Sequence, residues 1–168
     1  MQFAYILTLA LFFSESGILA AKKPNIVYIM CDELGYYETS FMGSKTIKTP
    51  NIDKLAAEGV WFTQALAGSS VCAPTRCVLM TGKHSGHTSV RVNGGGTPLR
   101  ANEKTIANML KESGYATGGF GKWGCGGRGS TGVPEKHGFD VFLEKRKKHE
   151  KRTTNALFST ELSVPVVR

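Results

Sequence analysis

Apolar residues fall along the chain in short, nearly unbroken runs that alternate with stretches of helical spacing. The run Asn25 to Cys31 (NIVYIMC), after Lys22, Lys23 and Pro24, is apolar at almost every position, which suits a strand covered on both faces of a parallel sheet. Pro50 to Glu58 changes to helical spacing, with Thr49 placed to cap the helix and Gly59 to stop it. Val60 to Ala67 (VWFTQALA) predicts a second strand. A short helix running to Met80 is predicted with Cys72 just ahead of its N-terminus, and it tolerates Pro74 in its first turn, where a proline's missing N–H has no partner to lose. Glu103 to Ser113 predicts an amphipathic helix with Ile106 and Leu110 facing inward and Gly114 ending it. Tyr115 to Gly121 (YATGGFG) predicts a third, glycine-interrupted strand. Strands alternating with helices indicate an α/β fold, a mostly parallel sheet flanked by helices.

An earlier apolar run, Phe3 to Phe13, is too short to span a bilayer and is followed by small residues at Ala20 and Ala21. Residues 1–21 therefore predict a secretory signal peptide, and a mature chain in an oxidising compartment: secreted, lysosomal or periplasmic, with no membrane attachment after cleavage. The formal charge of +8 does not argue for a nucleic-acid partner. Half of it comes from Glu144 to Arg152 (EKRKKHEKR), with six basic and two acidic residues, a run that solvation alone accounts for. The four cysteines show no evident pairing framework in their spacing. Cys31 and Cys77 read as buried thiols on apolar faces.

The predicted elements group the chemistry. Asp32 and Glu33 follow the first strand, Cys72 the second and Lys122 the third, so all four belong at the carboxyl edge of one sheet, where open α/β folds place ligands. Adjacent carboxylates there can present oxygens to a hard divalent cation. Cys72 lies beside a helix N-terminus, whose free N–H groups and positive dipole end favour an anion. Gly119, Gly121 and Gly124 form G-x-G-x-x-G after a strand, but the continuation CGGRGSTGVP cannot form the helix that a dinucleotide site requires.

Cys72, Pro74 and Arg76 in C-x-P-x-R, followed by Leu79, Thr81, Gly82 and Lys83, resemble the signature of the type I sulfatases. Pro24 to Tyr36 is similar to that family's first strand and metal-ligand turn, TPNIDKLAAEGVWF to its next helix and strand, and Gly121 to Trp123 (GKW) to its lysine motif. The resemblance covers about Lys22 to Phe142.

The resemblance implies an alkaline-phosphatase-like fold and hydrolysis of a sulfuric ester, an aryl or carbohydrate sulfate. It implies that Cys72 is converted by the formylglycine-generating enzyme to formylglycine, whose hydrated aldehyde attacks sulfur with one hydroxyl and expels sulfate with the other. A plain serine would be left as a stable sulfate ester. Asp32 and Glu33 match the first pair of metal ligands, and modified Cys72 also faces the metal, Ca²⁺ or Mg²⁺. Arg76 matches the residue that orients the modified side chain, and Lys122 a sulfate-binding lysine.

This chain departs from the pattern in three ways. Glu33 stands where most relatives have aspartate. Gly124 stands where many have the histidine of G-K-W-H, and His84 and His87 read as loop or packing histidines, not as its replacement. The third departure is length. The family's downstream half supplies further metal ligands, so residues 22–142 read as the amino-terminal part of a sulfatase domain and 143–168 as a divergent, poorly ordered basic tail. The incomplete site is expected to be weakly active or inactive alone. Two other readings stay open: a phosphoesterase or phosphonate hydrolase of the same superfamily, and a non-catalytic binding product in which Cys72 remains a thiol.

Overall fold

The computed structural model describes residues 23–94 and 96–144 together with the strand backbones at 162–163 and 166–167. The predicted signal peptide and most of the 143–168 tail lie outside the described residues. Two short strands, β1 (Ile26–Val27) and β2 (Met30–Cys31), lead into a loop with a 3₁₀ turn at Ser40–Met42. Helices α1 (Pro50–Glu58), α2 (Cys72–Thr81) and α3 (Ile106–Glu112) follow, then β3 (Thr117–Phe120), a 3₁₀ turn at Pro134–His137, β4 (Val141–Leu143), β5 (Leu162–Ser163) and β6 (Val166–Val167).

The main sheet has the order β1-β6-β3-β4. β3 and β4 are parallel, and β6 runs antiparallel to both β1 and β3. Three of the four strands therefore point the same way, in keeping with the mostly parallel sheet predicted from the sequence. Gly119 permits the close packing over this sheet. A Cβ built there would lie 2.4 Å from the Phe142 ring. Phe142, Phe139 and Trp123 make three mutual edge-to-face contacts with centroids 5.2–5.7 Å apart, the arrangement that ring quadrupoles favour. This aromatic group joins Ala73 and Cys77 of α2, Ala107 of α3, Val90, Leu99 and Cys125 in one core.

Several helix boundaries follow local chemistry. Gly82 adopts a left-handed φ of 64° and returns its N–H to the Val78 carbonyl, closing α2. α3 starts at Ile106, three residues later than predicted, because Thr105 and Asn108 form a reciprocal capping box. That start turns Ile106 to solvent and Ala107 into the core, so the inward assignment of Ile106 is corrected. α1 spans the predicted residues, but the Thr49 hydroxyl does not cap it. The hydroxyl donates instead to the Asp53 carboxylate at 2.8 Å, which also accepts from Ser40 Oγ at 2.6 Å and the Phe41 N–H at 3.1 Å.

The strand predictions met a different limit. Residues 60–67 form loop, with Val60, Trp61, Phe62 and Leu66 exposed. Apolar content cannot make a strand without a neighbour to complete the ladder, and none of the described strands pairs with this segment. The run Asn25 to Cys31 breaks into two because β1 pairs with β6 whereas β2 pairs with β5. Val27, Tyr28 and Ile29 are exposed, so this segment is not covered on both faces. Cys31 is exposed as well, which corrects its assignment as a buried thiol, whereas Cys77 is buried as expected.

Candidate active site

Cys72 is the first residue of α2, not the residue ahead of it as predicted, and Val71 in extended conformation caps the helix. The sequence predicted free N–H groups at this helix end. One of them is taken: the Ala73 N–H donates to Asn93 Oδ1 at 2.9 Å. Asn93 is a site neighbour that sequence reasoning missed. Its only sequence signal is a polar residue before the glycine run Gly94–Gly96, twenty positions away from Ala73. The Thr75 hydroxyl donates to the Ser69 carbonyl at 2.7 Å, which fixes the turn that delivers Cys72.

Asp32, Arg76 and Lys122 converge, although the first and last are ninety residues apart. Lys122 Nζ donates to Asp32 Oδ2 at 2.8 Å, and Arg76 Nη2 donates to Asp32 Oδ1 at 3.2 Å. Arg76 Nη1 also donates to the Lys122 carbonyl at 2.5 Å, so one guanidinium holds both the carboxylate and the backbone of the lysine loop. Arg76 is only 3% exposed, a burial that requires paired charge. Trp123 anchors the same loop, donating from Nε1 to the Gly132 carbonyl at 2.6 Å.

The electrostatics follow the contacts. The Lys122 ammonium bonded to it holds the Asp32 carboxyl below its usual range, reinforced by Arg76 and opposed by partial burial. Lys122 is raised, first by Asp32 and then by the Cys72 sulfur beside it. Cys72, Lys122 and Asp32 therefore share one locus, although only Asp32 and Lys122 follow strands, and the strand predicted before Cys72 is loop.

Glu33, next to Asp32, is exposed and adopts a left-handed φ of 61°, the one described non-glycine residue with positive φ. Among the described residues no group of three or more His, Cys, Asp or Glu side chains gathers closely enough to hold a metal ion. The carboxylate chemistry of Asp32 and Glu33 suits a hard cation, which takes six to eight oxygens in the case of Ca²⁺. These residues fit such a site in kind and supply only part of its shell.

Gly124 has a φ of 78°, and a Cβ there would meet Arg76 Cδ at 3.3 Å and Ala73 Cα at 3.5 Å. Glycine at this position lets the lysine loop lie on α2. His84 and His87 are exposed loop residues whose rings are 6.4 Å apart, with His84 Nδ1 accepting the Gly86 N–H. His137 is a packing histidine, buried between the Glu103 and Thr131 carbonyls.

A family model described as Sulfatase matches residues 24–163, most of the chain and beyond the Phe142 limit of the quoted motifs. The chain belongs to the sulfatase family. It is 43% identical over 136 residues to arylsulfatase D of Homo sapiens, covering 73% of this chain and 23% of that protein. It is 40% identical over 158 residues to steryl-sulfatase of Homo sapiens, covering 84% and 26%. Among solved structures, Ps i-CgsB superposes with a TM-score of 0.67 at 39% identity, covering 74% of this chain and 29% of that one. The same protein is also known in complex with k-i-k-neocarrahexaose. The sulfatase chain thus spans about a quarter of the length of the curated relatives it matches. Membership brings the alkaline-phosphatase-like α/β fold and, in general, a metal cofactor and a formylglycine.

Proposed function

We propose that this chain carries the nucleophile-bearing part of a sulfuric ester hydrolase and acts on aryl or carbohydrate sulfates. The observation that supports it best is the meeting of Asp32, Arg76 and Lys122 at the start of α2, with the Cys72 sulfur beside Lys122. In this reading residues 1–21 are removed as a signal peptide, and Cys72 is converted to formylglycine by the formylglycine-generating enzyme in the secretory route, before folding. The hydrated aldehyde supplies one hydroxyl as nucleophile and a second from which sulfate is expelled. Lys122 binds the sulfate and offsets charge that grows on the transferring group. Arg76 sets the side chain at position 72 and keeps Lys122 and Asp32 in register. Asp32 and Glu33, with the modified residue 72, would hold Ca²⁺, or Mg²⁺ in its place, and such an ion would supply Lewis-acid polarisation of the sulfate.

The test is co-expression with the formylglycine-generating enzyme, followed by mass spectrometry of the tryptic peptide containing residue 72 and assay of an aryl sulfate. Loss of the alkylatable thiol is expected, with weak turnover because the described residues complete only part of a metal shell. A thiol that persists at Cys72 overturns the nucleophile assignment. Preference for a phosphate diester over the sulfate ester overturns the substrate class, and turnover matching a full-length sulfatase overturns the expectation of a weak site.

A further inference from the structure

Two thiols outside the proposed chemistry lie together in the core. Cys77 on α2 and Cys125 in the loop after Trp123 are both 0% exposed free thiols in the same core cluster, close enough that each shifts the other's titration. Each backbone is pinned. The Cys77 carbonyl accepts from the Thr81 hydroxyl at 2.7 Å, and the Cys125 carbonyl accepts from the Leu99 N–H at 2.7 Å. Gly124, the residue before Cys125, rests against Arg76 and Ala73 of α2, so the loop presents Cys125 directly to the helix. The other two cysteines are poorly placed for either partner. Cys72 lies five residues from Cys77 on one helix, about 140° around its axis, and Cys31 is exposed at the end of β2.

We propose that Cys77 and Cys125 form an intrachain disulfide that locks the Lys122 loop onto helix α2. Two S–H bonds break and one S–S bond forms. The S–S bond of a disulfide oxidant of the glutathione-disulfide class breaks in exchange, and the two electrons and two protons end on it, so that it leaves as two thiols. In the closed core the Cys125 side chain, with the Val90 backbone, lowers the Cys77 thiol; with the loop open, Cys77 attacks through the thiolate fraction of an ordinary cysteine. Because both sulfurs are buried, the bond forms while the loop is still open during folding. The link sits one residue from Arg76 and three from Lys122, so it braces the two cations that hold Asp32. Formation in the cell rests on the secretory reading, and the chemistry itself does not.

The test refolds the full reduced chain in a glutathione and glutathione-disulfide buffer, blocks free thiols and digests with trypsin. Cleavage isolates Cys77 in peptide 77–83 (CVLMTGK) and Cys125 in peptide 123–128 (WGCGGR). The expected result is one species joining the two peptides, which a reductant separates. Two separately alkylated peptides, or either peptide joined to one bearing Cys31 or Cys72, overturn the proposal. A second readout is thermal. Reduction lowers Tm by about 5–10 °C in the linked chain, and C125S lowers it similarly and removes the response to reductant. An unchanged Tm on reduction counts against the link, and if C125S does not fold the wild-type peptide map decides. Neither readout uses sulfate ester turnover, so failure of the link and failure of the hydrolase reading are told apart.

Discussion

Lys122 reaches back ninety residues to bond Asp32 at 2.8 Å, while its own backbone carbonyl is held by Arg76, the second cation on the same carboxylate. The three residues form a closed unit, so removing one changes what the other two can do.

Asp32→Asn removes the carboxylate facing a guanidinium that is 3% exposed. It should lower stability by about 2–3 kcal/mol, below the roughly 3–5 kcal/mol of a fully buried pair broken from one side because the Asp32 side chain is 20% exposed. Urea unfolding of the two chains measures this. A change below about 0.5 kcal/mol, the scale of an exposed pair, would show that solvent already screens the interaction.

Stability should fall at both ends of the pH range for linked reasons. The folded pKa of Asp32 is depressed, so its contribution is complete above the ordinary value of 3.8 and is lost as pH drops through the lower folded value. The folded pKa of Lys122 is raised, so its contribution is complete below 10.5 and is lost as pH climbs through the higher folded value. The urea midpoint followed against pH should lose part of its acid limb in Asp32→Asn and part of its alkaline limb in Lys122→Met. The alkaline effect is the smaller, because the Lys122 side chain is 46% exposed.

Lys122→Met should also cut sulfate ester turnover by about 10²-fold or more in a chain with formylglycine at position 72, the usual scale for deleting a preorganised charge at the reacting group. Steady-state assay reads it. A fall in turnover smaller than threefold would remove Lys122 from the sulfate site.

Two glycines make the packing predictions. Gly119→Ala sets a methyl 2.4 Å from the Phe142 ring and should destabilise by about 1–3 kcal/mol, as overpacking does. Gly124→His restores a histidine at the position where many relatives carry one, yet it must enter a φ of 78° and press on Arg76. It should lower Tm by several degrees without raising turnover, as thermal melts paired with the assay will show.

Asn93→Ala should cost about 0.5–1 kcal/mol, the value of a lost N-terminal cap, because it frees the Ala73 N–H beside Cys72. Chemical denaturation measures it, and Asn93→Asp should keep most of the stability.

Sequence reached some of this structure and not the rest, for a physical reason. α1 and the C-terminus of α2 are fixed by residues within one turn of themselves, Pro50 and Gly82 among them, so local chemistry suffices. Asp32 and Lys122 were legible as neighbours because each follows a strand whose end the pattern marks, whereas Cys72 was grouped with them through a strand that did not form. The loop at 60–67 was not, since an apolar run carries no information on whether a partner strand lies beside it. Asn93 at Ala73 and Cys125 at Cys77 are contacts between loop and helix, twenty and forty-eight residues apart, and no periodicity encodes them.

Glu33 holds a conformation that glycine would adopt more easily, at a cost of about 1 kcal/mol for an ordinary side chain. Glycine at that position would make the free chain more robust while deleting a carboxylate next to Asp32. The turn after β2 is therefore a place where tolerance to heat and capacity to gather a cation pull in opposite directions, and a screen for thermostable variants should recover Glu33→Gly at the expense of metal affinity.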